Sequence, residues 1–173
     1  MNARRLIIDC DPGQDDAVAL LLAFASKDEL DLVGITCVAG NVALRMTVRN
    51  ALRVRELAGR HDVPIFAGCP RPMMRKLETA EEVHGKTGLD GVDLPEPSLG
   101  VDPRHAVGFI IEACRSAPEG GLTLCPLGPL TNIALALIMA PDIRAHIREI
   151  VLMGGAALGP GNITPSAEFN IYV

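Results

Sequence analysis

The sequence predicts an α/β protein: a doubly wound, mostly parallel sheet with helices on both faces. Three observations lead there. Short β-branched or apolar runs alternate with longer segments of helical spacing along all 173 residues. The strand-like runs are apolar almost throughout, as strands buried on both faces are. The runs end in Gly, Pro, Asn and Asp, residues that turn a strand into a helix. No internal repeat or linker interrupts this alternation, so residues 1–173 are read as a single domain.

The first unit is RLIIDCDPGQDDAVALLLAFA, residues 5–25. Leu6, Ile7 and Ile8 form a buried strand, and an almost unbroken apolar segment after residue 16 forms a buried helix. Asp9, Asp11, Asp15 and Asp16 fall in the turn between them. In α/β sheets ligands bind at the carboxyl ends of strands, where this turn lies. So much like charge in one place needs a cation or a set of donors. A hard divalent ion is the simplest answer, because Ca²⁺ and Mg²⁺ prefer carboxylate oxygens. Asp15 and Asp16 are neighbours on a helix and point about 100° apart, so they serve different partners. The plainer alternative makes both of them capping charges and the other two turn formers.

Residues 31–38, DLVGITCV, predict a second strand, and Gly40-Asn41 a turn at its end. Asn41 fits either a helix N-cap or a ligand contact. Leu44, Val48, Leu52 and Leu57 share a helical face, and Gly59 ends that helix. Residues 63–67 predict a third strand. The Gly-, Pro- and charge-rich stretch 68–100 reads as a functional loop, with HGKTGLDG at 84–91. His84 is a surface residue or a site residue by position alone.

Pro103 predicts a helix start, with Ala106, Val107, Ile110, Ile111 and Cys114 facing inward. Residues 122–125 form a fourth strand, leading through PLGPLTN into an apolar helix at 133–139 that stops before Pro141. A short helix at 143–147 and a fifth strand at 150–153 follow. On an extended segment Glu168 and Asn170 share one face, which suits a site wall or the solvated face of an edge strand.

Composition excludes several classes. The chain is 49% hydrophobic, hence globular. Its net charge of −5 argues against nucleic acid polymers and acidic membranes as partners. No apolar run is long enough to span a membrane, and no basic region precedes an apolar stretch at the N-terminus. The five cysteines, Cys10, Cys37, Cys69, Cys114 and Cys125, form no CxxC pair, so free thiols in a reducing cytoplasm are expected. Cys10 reads as core packing, since no base adjoins it. GxGxxG and GxxxxGK[ST] are both absent.

DCDPGQDDAVALLLA resembles the opening signature of the inosine-uridine preferring nucleoside hydrolases. VAGN at 38–41, HGKTGLDG at 84–91, PLGPLTNIALAL at 126–137, VLMGG at 151–155 and GNITPSAEFN at 161–170 resemble that family in the same order. The resemblance implies hydrolysis of the N-glycosidic bond of ribonucleosides to base and ribose, in purine and pyrimidine salvage. It implies Ca²⁺ held by Asp11, Asp16 and the backbone carbonyl of Leu127, where the family often has Thr. Asp11 would also take a proton from the attacking water. Asp15, Asn41, Asn162, Glu168 and Asn170 would hold the ribose hydroxyls, Met153 would line the sugar pocket, and His84 would sit near the base. A homodimer or homotetramer is implied as well.

Residue chemistry agrees with that implication. Glycosidic cleavage passes through an oxocarbenium-like state, which carboxylates stabilise. A metal lowers the pKa of water while a carboxylate accepts its proton. One departure matters: family members run well beyond the position of Val173 and carry a later His–Asp pair. The expectation is a nucleoside hydrolase-like domain incomplete at its C-terminus, with weak Ca²⁺ binding and poor turnover. Two alternatives stand beside it. One is a non-catalytic metal- and ribose-binding fragment. The other is a haloacid-dehalogenase-type phosphohydrolase, which also places a DxD pair after its first strand but lacks here its later lysine and acidic pair.

Overall fold

The strand that runs into the acidic turn is the centre of the sheet. In the computed structural model, which describes residues 3–173, it is β1, Arg4–Cys10. It pairs in parallel on one side with β2, Leu30–Cys37, and on the other with β4, Leu122–Pro126. β3, Ile65–Ala67, lies outside β2, and β5, Ile147–Ile150, outside β4. The order is β3-β2-β1-β4-β5, and every pairing is parallel.

Strand alternation divides the core in two. Leu6, Ile8 and Cys10 face helices α1, Gln14–Ala25, and α2, Leu44–Leu57, packing against Leu20, Phe24 and Ala51. Ile7, Leu122 and Leu124 face α4, Ala106–Ser116, and α5, Thr131–Met139, packing against Ile110, Ile133 and Phe109. Phe109 stacks on Phe66 with ring centroids 3.7 Å apart, under Gly34, where a Cβ would meet the Phe109 ring. Two helices on each face make the sheet doubly wound, as the sequence predicts. Winding reverses between β1 and β4, and this is where such sheets open a crevice for ligands.

Several boundaries move from their expected places. The helix expected from Pro103 begins at Ala106, with His105 as its N-cap accepting from the Val107 amide. The fifth strand lies at Ile147–Ile150 instead of 150–153, and the helix expected at 143–147 is a 3₁₀ turn, Pro141–Ala145. Residues after Ile150 keep hydrogen bonding to β4: Val151 and Met153 amides donate to the Leu124 and Pro126 carbonyls. The third strand is shorter than expected and starts at Ile65. Leu57 ends α2 facing solvent, 58% exposed, because five positions after Leu52 it turns well off that face, while Val54 and Arg55 in the same turn stay buried. Gly59, at φ +63°, then closes that helix in the left-handed region.

The long connection 68–100 contains a single helical turn, α3, Glu81–His84. The final segment is not extended: Phe169–Tyr172 forms a helical turn, α6, capped by Glu168. Among the described residues no helix is long and apolar enough to cross a membrane.

Candidate active site

β1 delivers the acidic residues in two directions. Alternation along the strand turns Asp9 toward α5, away from the turn. It is fully buried, and Oδ1 accepts from Thr36 Oγ1 at 2.5 Å and Asn132 Nδ2 at 2.8 Å. Oδ2 has no partner. Burial raises its pKa to about 7, against the two hydrogen bonds, which lower it. Asp9 is therefore a buried strand residue and not a turn former. Asn132 is the residue that the sequence reading missed. Its Nδ2 also donates to the Cys37 carbonyl at 3.0 Å, and its Oδ1 accepts from the Cys69 amide at 2.9 Å. Gly68 leaves room for it, since a Cβ there would strike the Asn132 amide. One side chain thus ties β1, β2 and the segment after β3 to the start of α5. Asn132→Leu is expected to lower stability by roughly 3 kcal/mol or more, because it strands a buried N–H, a carbonyl and a carboxylate. Urea unfolding measures this directly.

The turn itself is closed by Asp16. Its Oδ2 accepts from the Asp11 amide at 3.0 Å, reaching back across Pro12 and Gly13. Gly13 is the N-cap of α1 and no side chain caps it, so Asp15 and Asp16 make no cap hydrogen bond, although both stand in the first turn, where the helix dipole favours them. Asp16 is buried against the turn, and Asp15 is exposed at its rim. The two diverge, as neighbouring helical positions must.

Asp11 lies between β1 and β4, one residue past the strand. Its Oδ2 accepts from the Asn41 amide at 2.7 Å, while Asn41 Nδ2 donates to the Asp11 carbonyl at 3.0 Å. Asn41 therefore clips the ends of β1 and β2 together; the N-cap of α2 is Ala43. Glycines enclose the Asp11 carboxylate on two sides. A Cβ on Gly40 would collide with Oδ2, and one on Gly128 with Oδ1. This is the physical content of the Ala-Gly-Asn and Leu-Gly-Pro signatures after β2 and β4.

Glu168 and Asn170 enter from the far wall. Glu168 Oε1 accepts from the Asn170 amide at 3.0 Å and Oε2 from the Gly155 amide at 3.0 Å. Asn170 Nδ2 donates to the Leu127 carbonyl at 2.7 Å and to the Met153 carbonyl at 3.1 Å. Asn162 Oδ1 accepts from the Phe169 amide at 2.8 Å, fixing the loop 161–167 over α6. The shared face expected of an extended segment is produced instead by one helical turn. From the opposite side α3 brings His84, whose Nδ1 lies 2.6 Å from Gln14 Oε1.

These groups surround one cavity of about 280 Å³ at the carboxyl ends of β1 and β4. Asp11, Asp15, Asp16, Asn41, His84, Leu127, Met153, Asn162, Glu168 and Asn170 all line it. So do Glu82, Val83, Ile163 and Phe169, which the sequence reading did not single out. The volume is near the lower end of small-molecule sites, roughly 300–1,000 Å³. No Lys or Arg lines it.

The electrostatics leave two buried carboxyl groups that would hold either protons or a cation. Asp11 and Asp16 are buried, and neither forms an ion pair among the described residues. Burial, then the neighbouring carboxylate of Asp16, pushes the Asp11 pKa well above the ordinary carboxylate range. Burial, then Asp15, raises Asp16 to about 7. Among the described residues no three His, Cys, Asp or Glu side chains converge to hold a metal by themselves. A hard ion would therefore take two carboxylates and the second lone pair of the Leu127 carbonyl, with water or ligand hydroxyls completing six to eight oxygens. The donor set fits Ca²⁺.

The chain has counterparts among known proteins. The chain is 52% identical over 171 residues to the pyrimidine-specific ribonucleoside hydrolase RihA of Photobacterium profundum, covering 99% of this chain and 54% of the relative. It is 50% identical over 172 residues to the pyrimidine-specific ribonucleoside hydrolase RihB of Escherichia coli, with the same two coverages. The chain thus spans about half the length of the curated relatives it matches. Among solved structures, the purine-preferring ribonucleoside hydrolase of Gardnerella vaginalis superposes with a TM-score of 0.91 at 37% identity, over 96% of this chain and 54% of that one. The sequence model of the inosine-uridine preferring nucleoside hydrolases matches residues 6–173. This chain belongs to the inosine-uridine preferring nucleoside hydrolase family.

Proposed function

We propose that this site hydrolyses the N-glycosidic bond of ribonucleosides, releasing base and ribose, with Ca²⁺ held by Asp11, Asp16 and the Leu127 carbonyl. The observation that carries it is the set of ribose-type donors and acceptors around a buried, unpaired pair of carboxylates at the sheet's switch point. When bound, Ca²⁺ lowers the pKa of water in the site. Asp11, a carboxylate on the cavity wall, accepts the proton of the attacking water. Asp15 and Glu168 accept from ribose hydroxyls, and Asn41, Asn162 and Asn170 donate or accept as required. The same carboxylates stabilise positive charge developing on the sugar. Met153 covers an apolar face of the sugar, and His84 borders the base.

Pyrimidine nucleosides are the proposed substrates, supported by the names of the relatives at 50–52% identity against the purine-preferring one at 37%. A reducing cytoplasm is supported by five free cysteines. Self-association into a dimer or tetramer is supported by exposed Val18 and Leu22 on α1. A small neutral substrate, and not nucleic acid or membrane, suits the net charge of −5.

A second reading is metal and ribose binding without turnover. The open side of the cavity favours it: Met153 is 48% exposed and Ile163 37%. Ribose release from uridine, cytidine and inosine, with Ca²⁺ and with chelator, separates the readings. Ca²⁺-dependent release, faster from uridine than from inosine, is expected of the hydrolase. Saturable Ca²⁺ binding by calorimetry with no release supports the second reading. Release of phosphate from phosphoesters would favour the phosphohydrolase alternative and remove both.

A further inference from the structure

His84 ends α3, and its ring lies against the turn that carries Asp11. A Cβ on Gly13 would come within 2.5 Å of His84 Nδ1, so the imidazole occupies the space a side chain would fill. Gln14 then meets the same residue twice. Its Oε1 is 2.6 Å from His84 Nδ1, and its Nε2 donates to the His84 carbonyl oxygen at 3.3 Å. A carbonyl oxygen only accepts, so the amide group facing it is the NH₂. The amide oxygen therefore faces the ring, and it also only accepts. Nδ1 must be the protonated nitrogen. In the neutral imidazole Nε2 then carries a lone pair.

We propose that Gln14 is a positioning residue that holds His84 in its Nδ1–H tautomer, so that Nε2 faces the ligand as a hydrogen-bond acceptor for an N–H or O–H of the nucleoside. The choice of ligand rests on the nucleoside hydrolase reading; the tautomer does not. The surroundings hold the arrangement still. Asn50 Nδ2 donates to the Pro12 carbonyl at 2.9 Å and to the Thr87 carbonyl at 2.7 Å. The Ala80 amide donates to the Asn41 carbonyl at 3.0 Å. Both ends of the His84 segment are thereby tied to the strand ends that hold Asp11. A ligand offering only an acceptor to Nε2 sets lone pair against lone pair and is rejected.

The full chain supplies its own references. His105 Nδ1 accepts from the Val107 amide, which requires the Nε2–H tautomer. His146 Nδ1 lies 2.7 Å from the Ala117 carbonyl oxygen, which requires Nδ1–H. Proton–nitrogen correlation spectra of the labelled chain at alkaline pH read each ring, with His84 assigned from His84→Gln. His84 is expected to match His146 and not His105. Gln14→Glu keeps an acceptor oxygen and is expected to keep that pattern. Gln14→Met keeps the length without the polar atoms and is expected to return the ring to a tautomer mixture. It should raise KM for uridine ~10-fold with kcat nearly unchanged, the equivalent of one lost hydrogen bond. A His105-like pattern in the wild type, or a Gln14→Met spectrum identical to wild type, overturns the proposal. So does a changed tautomer with an unchanged KM. The expected tautomers with no ribose released by the wild type from any nucleoside uphold the tautomer and overturn the functional reading instead.

Discussion

Asp11→Asn is expected to abolish turnover while making the metal-free protein more stable. The two effects share one cause. Asp11 is 1% exposed, with Asp16 and Gly128 beside it and no Lys or Arg among the described residues lining the cavity. Its carboxylate is useful in the reaction because it wants a proton and a metal. In their absence it is a liability, since burying a charge disfavours the ionised form. Asn fills the same volume and its amide oxygen can still accept from the Asn41 amide. Removing the base and a metal ligand together should lower kcat/KM at least about 10³-fold, from the range general bases supply. In chelator the variant should unfold at higher urea than the wild type, and added Ca²⁺ should no longer stabilise it. A variant less stable than wild type in chelator would mean that the buried carboxylate has a partner already.

The second large effect is on pH. In the metal-free protein, stability is expected to fall as pH rises from about 4 to about 7. Asp9 and Asp16 each hold their proton up to about 7 in the folded state, against 3.8 for a free carboxyl. Their contribution is full below the unfolded value. It is lost as pH rises, because the unfolded chain releases those protons first. Each group contributes on the order of 4 kcal/mol at most over that window, from 1.36 kcal/mol per unit. Acids with depressed pKa act oppositely: Asp102, held at about 2 by Arg104, loses its contribution only in strong acid, and it is half-buried at the surface, where solvent screens the pair. The metal-free optimum should therefore lie near about pH 4–5. Saturating Ca²⁺ binds the ionised form of Asp16 and should lift stability most near neutrality and least near pH 5. Urea midpoints across pH, with chelator and with Ca²⁺, test this. A Ca²⁺ effect that is flat with pH would reject it.

Asp9 and Asp11 mark the boundary of what could be read locally. Both stand out in the sequence because four carboxylates fall within residues 9–16. That Asp9 points to the opposite face, into a bond with Asn132 across 123 positions of sequence, depended on the strand continuing through Cys10. Glu168 and Asn170 fell on the cavity wall although their backbone is a helical turn and not a strand. A four-residue turn is too short for its period to register, and Glu168 reads as a cap only once Gly155 and Asn170 are beside it. Gln14 carried no signal, because its role exists only against a ring 70 residues away.

By itself the sequence determined the alternation of strands and helices, the acidic turn after β1 and the glycines after β2 and β4. These are short-range facts, set by hydrophobic periodicity and by residues that shape a turn. Only the tertiary structure decided the strand order β3-β2-β1-β4-β5, which puts the ends of β1 and β4 side by side. That adjacency brings Leu127 and Asn170 to the same space as Asp11, while the connection after β3 brings His84 from the other side. The reason is that strand order follows from how the two helical layers share burial on opposite faces, a property of the whole chain that no single stretch carries.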